Sequence, residues 1–282
     1  MSESQPSHNA PPSEMVGHYQ AGVENDRLAV GSGNLEMERT REIIRRFLPP
    51  PPAVIADIGG GPGVYSGWLA RLGYEVHLID PVPLHVEQAH ERSRAQPEAP
   101  IASARIGDAR KVERDDTSVA AVLLLGPLYH LTEQADRVAA LREAARITQP
   151  GGHVFAAAIS RFASLLDGLD RGFIADPAFR EIMDEDLRSG QHRNPERTPQ
   201  YFTTAYFHRP AELRAEFEAA GLRHLQTLAV EGPAAYIPRV TEQWDDPNWR
   251  EQVLAALRRI EDEPELLGTS PHLLVIGQLP IL

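Results

Sequence analysis

The chain has 282 residues, a net charge of −12 and no cysteine. That charge argues against a nucleic-acid backbone as the main partner, and the missing thiols exclude a disulfide framework, a thiolate zinc site and a cysteine nucleophile. Hydrophobic residues make up 42% of the sequence, enough for one large core or two small ones. No apolar run is long enough to span a membrane and no signal-peptide core opens the chain, so a cytoplasmic protein is expected, with no membrane partner.

Residues 1–12 are rich in Ser, Pro and Asn and read as a disordered tail. Residues 13–50 read as a helical cover. Leu35, Ile43, Ile44 and Phe47 share one face of a helix that the prolines Pro49, Pro50, Pro51 and Pro52 stop. The remainder, residues 51–282, reads as one α/β domain. Its opening is the most informative stretch. An apolar strand ends at Asp57; Gly59, Gly60, Gly61 and Gly63 follow; Val64, Trp68, Leu69 and Leu72 recur at helical spacing; and residues 75–80 form a second strand ending in Asp80. Strand, glycine turn, helix and strand make a βαβ unit, which places the glycine turn at the carboxyl end of a parallel sheet. Glycine lets backbone approach a ligand closely, and the next helix aims unpaired N–H groups at the same spot. Asp80, 17 residues after Gly63, offers a carboxylate to a ribose diol. The unit reads as a nucleoside site.

Downstream, a polar helix spans about residues 84–95. His85 and His90 are five apart, too far round the helix for a metal pair, and are expected to be solvated. A third strand ends at Gly107, Asp108 and Ala109. Residues 119–125 are a continuous apolar run, typical of a central parallel strand, and end at Gly126, Pro127, Leu128, Tyr129 and His130. A helix over 132–148, a turn at Pro150, Gly151 and Gly152, and a fifth strand over 154–159 follow. The charged stretch at about 160–208 reads as a lid inserted after the fifth strand, with 201–208 extended. Pro210 opens a helix that Gly221 stops. Residues 225–230 are a sixth strand, about 231–268 a second insertion, and 272–277 the last strand.

The loop is D-x-G-x-G-x-G, from Asp57 to Gly63, whereas a dinucleotide fold wants G-x-G-x-x-G. With Asp80 and the later order of elements, it resembles the class I S-adenosylmethionine-dependent methyltransferases. The resemblance covers residues 53–158 well, the last strands fairly and the lid poorly. It implies a Rossmann-like fold: a seven-stranded, mostly parallel sheet with helices on both faces, the last strand antiparallel between the fifth and sixth, and an inserted helical lid. It implies S-adenosylmethionine as cofactor, held by Asp57, Gly59, Gly61, Gly63, Asp80 and Pro81, with Asp108 on the adenine amino group and the Ala109 N–H on a ring nitrogen. Leu35, Glu36, Arg39 and Thr40 resemble the N-terminal element of a bacterial group of these enzymes. There Arg39 would pair with the methionine carboxylate and Tyr19 would close over the ligand.

For the acceptor, the sequence offers Tyr129, Arg161 and Tyr206 as substrate contacts and His130 and His208 as candidate bases, since imidazole titrates near neutrality. No H-E-x-x-H and no tight Asp/His motif is present, so no metal is expected. The Asn-Pro-Pro-Tyr type of motif is absent after the fourth strand, which leaves a small-molecule or peptide acceptor. The expected function is methyl transfer to a small-molecule oxygen or nitrogen nucleophile, in a monomer or homodimer. Alternatives are a methyltransferase of peptides, a non-catalytic S-adenosylmethionine-binding or regulatory protein, and a nicotinamide-dependent oxidoreductase.

Overall fold

The computed structural model describes residues 32–198 and 200–281. The expected tail, most of the cover's first half and Tyr19 lie outside them. The sheet takes its strands in the order β3 (Ser103–Ile106), β2 (Glu75–Asp80), β1 (Val54–Ile58), β4 (Val119–Leu124) and β5 (Thr148–Ser160), all parallel. Beyond β5 lies β9 (His272–Gln278), antiparallel to it, and then β8 (Arg223–Ala229), antiparallel to β9. The last strand therefore sits reversed between the fifth and sixth of the main strands, as the resemblance implies.

Side chains alternate across each strand, so the sheet feeds two cores. Ala56, Ile58, Val122, Val154 and Val275 pack on one face with α5 (Gln134–Ile147) and α8 (Pro210–Ala219). Ile55, Leu78, Leu123, Phe155 and Ile276 pack on the other with α1 (Ser32–Phe47), α2 (Val64–Arg71) and α3 (Pro83–Arg94). Among the described residues no helix is long and apolar enough to cross a membrane.

Three expectations are corrected. The proline-glycine segment before the fifth strand is not a separate turn: β5 begins at Thr148 and absorbs it as a bulge, its register against β4 shifting between Val119 and Ala121. A side chain at Gly152 would meet the Ala120 carbonyl at 2.6 Å, so the bulge needs glycine there. The lid's extended end, expected over 201–208, is a strand that joins the sheet, and a further strand not expected pairs with it. After α6 (Ala163–Arg171) and α7 (Pro177–Ser189), the two-residue β6 (Gln191–His192) pairs with β7 (Ala205–His208), and β7 pairs with β5 where β4 has ended. The sheet thus gains two short strands over the seven expected. His85, expected in solvent, is 4% exposed and bonded to Asp80, whereas His90 is exposed.

The second insertion carries α9 (Pro238–Glu242) and α10 (Pro247–Leu257), whose Val240, Val253 and Leu257, with Trp244 of the turn between them, pack on Leu35 of α1. Arg39, fully buried, ties the same elements together: it donates to the Val230 carbonyl at 3.1 Å, to Glu42 and to Glu261. A buried guanidinium needs such partners, because an unpaired charge in the interior is costly.

Candidate functional site

The glycine loop runs from the end of β1 to the start of α2. Gly59 and Gly61 have φ of +71° and +55°, values that L side chains rarely adopt. A Cβ at Gly59 would stand 2.6 Å from the Pro127 ring, where the loop meets the short helix α4 (Pro127–His130). Gly61 lines the cleft, and a Cβ there would meet nothing within 4 Å.

Two carboxylates floor that cleft. Asp57 is 1% exposed; its Oδ2 accepts from Ser66 at 2.6 Å, while Oδ1 has no hydrogen-bond partner among the described residues. Burial pushes its carboxyl up to about 6, against the pull of Ser66 and with help from the Asp80 charge. Asp80, at the end of β2, accepts from the Gly61 N–H at 2.8 Å on one oxygen, and from the Val82 N–H at 2.9 Å and His85 at 3.0 Å on the other. Asp108 follows β3 and lines the same cleft. Its oxygens accept from Arg110 at 2.6 and 3.0 Å, and although burial opposes ionisation, these bonds hold the carboxyl below its usual range.

The raised Asp57 gives a pH signature with a definite sign. A carboxyl titrating higher in the folded state than its ordinary 3.8 stabilises the fold as the acid, fully below pH ~3.8, and this contribution is lost as pH rises through ~6. About two units correspond to about 3 kcal/mol. Asp57→Asn keeps an acceptor for Ser66 and cannot ionise. Its unfolding free energy, measured by urea titration at pH 4 and pH 8, is expected to exceed the wild-type value by up to about 3 kcal/mol at pH 8, with the gain vanishing at pH 4.

The cleft, its open mouth included, measures about 1300 Å³, and a second open cavity of about 1340 Å³, lined by lid residues, adjoins it. Glu36, Tyr129 and His272 line both and form the neck between them. The second cavity has aromatic walls, including Phe179, Tyr201, Phe202 and Phe207, with Asp167, Asp170 and Glu231 among them. The lid side is braced by Asp186, whose Oδ2 accepts from Ser164 and from His192 at 2.8 Å, while the His192 ring stacks on Phe207 with centroids 4.8 Å apart. At the neck, Glu231 and His272 meet because β8 and β9 are antiparallel. The end of one and the start of the other fall at the same edge, with the Val230 N–H donating to the His272 carbonyl at 3.1 Å. His272 Nδ1 lies 2.6 Å from Glu231 Oε1 and 3.8 Å from Glu36 Oε2.

Of the residues singled out from the sequence, Asp57, Gly59, Gly61, Asp80, Pro81, Asp108, Ala109, Tyr129 and His130 line the cleft. Gly63 precedes α2 as its cap, outside the lining. Four others are not brought there. Arg39 is committed to Val230, Glu42 and Glu261. Arg161 bonds the Phe207 carbonyl and Glu212, and Tyr206 lies against the Arg137 guanidinium at 3.7 Å. His208, fully buried on Glu216, is pushed below the usual imidazole range by burial, which outweighs the pull of that carboxylate. Sequence reasoning missed the Glu231–His272 contact, because 41 residues separate the two. The available signal was an acid after one strand and a histidine opening its antiparallel neighbour.

Known proteins resemble this chain in sequence and fold. A methyltransferase-domain family model matches residues 55–152. An uncharacterized methyltransferase of Mycobacterium tuberculosis is 32% identical over 132 residues, covering 45% of this chain and 50% of the relative. A ubiquinone biosynthesis O-methyltransferase of Methylobacterium nodulans is 31% identical over 188 residues, 66% of each chain. The matched region thus spans about half the length of the mycobacterial relative. Among solved structures, a SAM-dependent methyltransferase of Methanosarcina mazei superposes with a TM-score of 0.57 at 18% identity, covering 85% of this chain and 98% of that one. At that identity the likeness shows the fold.

Proposed function

Because the chain belongs to the class I S-adenosylmethionine-dependent methyltransferases, we propose that it transfers a methyl group from S-adenosylmethionine to a small-molecule acceptor through an oxygen or nitrogen nucleophile. The observation that carries this reading is the pair of cavities joined at the Glu36, Tyr129 and His272 neck. One is a nucleoside-type cleft beside a glycine loop, and the other is an aromatic chamber sized for a compact organic molecule. A donor in the first and an acceptor in the second meet at the neck, which suits in-line displacement.

The cleft's residues fit the cofactor. Asp57 presents a buried carboxylate oxygen without a partner among the described residues, the feature that a cationic ligand would satisfy. The open space above Gly61 is where ligand and backbone would come together. When bound, S-adenosylmethionine supplies a methyl carbon already activated by the sulfonium charge. The chain's own part is to hold and orient. We assign Asp57 to the cationic end, Asp80 to the ribose diol, and Asp108 with the Ala109 N–H to the adenine. Tyr129 and His130, at the end of β4 on the cleft wall, orient the acceptor, with His130 able to take its proton. The likeness to the Methylobacterium O-methyltransferase favours oxygen as the accepting atom.

Asp80→Ala tests the assignment. Its carboxylate would give charge-assisted hydrogen bonds to a diol, so its loss is expected to weaken S-adenosylhomocysteine binding by about 1–3 kcal/mol, roughly 10- to 100-fold. Calorimetry that finds the variant's affinity unchanged would remove the nucleoside reading of the cleft.

A further inference from the structure

Glu36, Glu231 and His272 each bring a donor atom to one place, all within 4.8 Å of one another. They come from three separate parts of the fold: α1, the segment after β8, and the start of β9. We infer that they form a binding site for one divalent transition-metal ion at the neck between the two cavities.

The case begins with Glu231. Its carboxylate is 2% exposed, and its side-chain partners among the described residues are Ser270 at 2.9 Å and His272 at 2.6 Å, with the His272 N–H at 3.3 Å. No lysine or arginine among the described residues pairs with it. Buried carboxylates are stable when paired with a cation or when they coordinate one. Among the described residues, Arg39, which bonds the neighbouring Val230 carbonyl, pairs with Glu42 and Glu261 rather than with Glu231. What faces Glu231 is an imidazole, with a second carboxylate, Glu36, 3.8 Å beyond it. Two carboxylates and one histidine are a ligand set for a dication. The imidazole nitrogen favours zinc or iron over calcium, and the two carboxylates also admit manganese.

The geometry permits this with small movements. Ligand atoms about 2.1 Å from a common ion stand roughly 3.0–3.4 Å apart. The observed separations about His272 are 2.6 and 3.8 Å, and all three donor atoms lie within 4.8 Å of one another, so binding draws the Glu36 carboxylate inward. On binding, His272 is the neutral imidazole with its proton on Nε2, and Nδ1 exchanges its contact with Glu231 for a bond to the metal. Ser270, fully buried, keeps its bond to the other Glu231 oxygen and fixes the carboxylate's direction. Glu36 and His272 line both cavities, so the ion's remaining positions face the place where acceptor and donor meet. A role for the ion in holding the acceptor's oxygen or nitrogen rests on the proposed transfer reaction; binding of the ion does not.

The test therefore reads the metal alone. The full-length protein is stripped with a chelator and titrated with MnCl2 and with ZnCl2 by calorimetry, and the manganese form is examined by pulsed electron paramagnetic resonance. The expected result is one tight site per chain with a histidine-nitrogen coupling in the resonance spectrum. Glu36→Gln, Glu231→Gln and His272→Ala are each expected to weaken it by at least about 10- to 100-fold. Glu36 is the surest variant to fold, since it is the one of the two carboxylates that is not fully buried. Its melting temperature, compared with wild type without metal, separates lost ligation from lost structure. Saturable binding without nitrogen coupling, equal affinity in all three variants, or no binding would overturn the site. Glu231 and His272 would then be a proton-sharing pair. Failure here leaves S-adenosylhomocysteine binding in the neighbouring cleft, which is measured separately, untouched.

Discussion

Glu216→Ala is expected to destabilise the protein by about 3–5 kcal/mol, the usual cost of stripping one partner from a buried ion pair. Glu216 is 1% exposed and Arg137 2%. Arg137 donates to Glu216 from Nε at 3.0 Å and from a terminal nitrogen at 2.7 Å, and its other terminal nitrogen bonds the Leu131 and Thr132 carbonyls at 2.9 Å. Burial alone would raise the Glu216 carboxyl; the bonds from His208 and Arg137 overcome it and keep the group ionised. Removing the carboxylate leaves the guanidinium charged, buried and short of its counter-ion. It also takes away the partner of His208 and loosens α8 from α5. In a chain of this size the melting temperature should fall by roughly 10 °C. Glu218→Ala is the control. Its pairing with Arg214 lies in solvent, with side chains 52% and 62% exposed, and exposed pairs contribute little. Thermal melts of the two variants check the contrast, and a Glu216→Ala protein as stable as the Glu218→Ala one would show that the buried cluster is not holding the two helices together.

Gly61→Val is expected to abolish S-adenosylhomocysteine binding, weakening it roughly 100-fold or more (about 2.7 kcal/mol), while leaving the fold nearly intact. At φ +55° a side chain carries backbone strain of about 1–2 kcal/mol. Yet it would strike no atom of the protein, because nothing lies within 4 Å of its Cβ. Because Gly61 lines the cleft, the added bulk is expected to take up cleft space. Gly59→Val is the opposite case, since the new Cβ would collide with Pro127 at 2.6 Å and damage the loop itself. Calorimetry paired with a melting curve separates the two. Gly61→Val should melt within a few degrees of wild type and fail to bind; binding at wild-type affinity would mean that the ligand does not approach the loop.

Much of the fold was legible because its signals are local. The apolar strands, the helices between them, and Gly221 ending α8 at φ +84° follow from periodicity and turn chemistry. The cleft was legible for the same reason: Asp57, the glycines, Asp80 and Asp108 each stand at a strand's carboxyl end, and in a parallel sheet those ends share one edge. What the sequence hid depends on distant partners. Nothing local to Arg39, read as a partner for a ligand carboxylate, points to Glu261, 222 positions later, which receives it. His208 and Tyr206 look like lid residues until β7 pairs with β5 and carries them toward Arg137 and Glu216. His85 looks solvated because nothing local reveals that α3 turns it back onto Asp80. The neck is the clearest instance. Its residues come from positions 36, 129, 231 and 272, and only the antiparallel closure of β9 on β8 brings the last two together.

The most direct test is calorimetric titration of the wild-type protein with S-adenosylmethionine, S-adenosylhomocysteine and NAD in parallel. Micromolar binding of the first two at one site per chain, with no heat from NAD, is the expected result. No binding of either adenosyl ligand, or equal binding of NAD, would contradict the assignment of the glycine-loop cleft and with it the proposed methyl transfer.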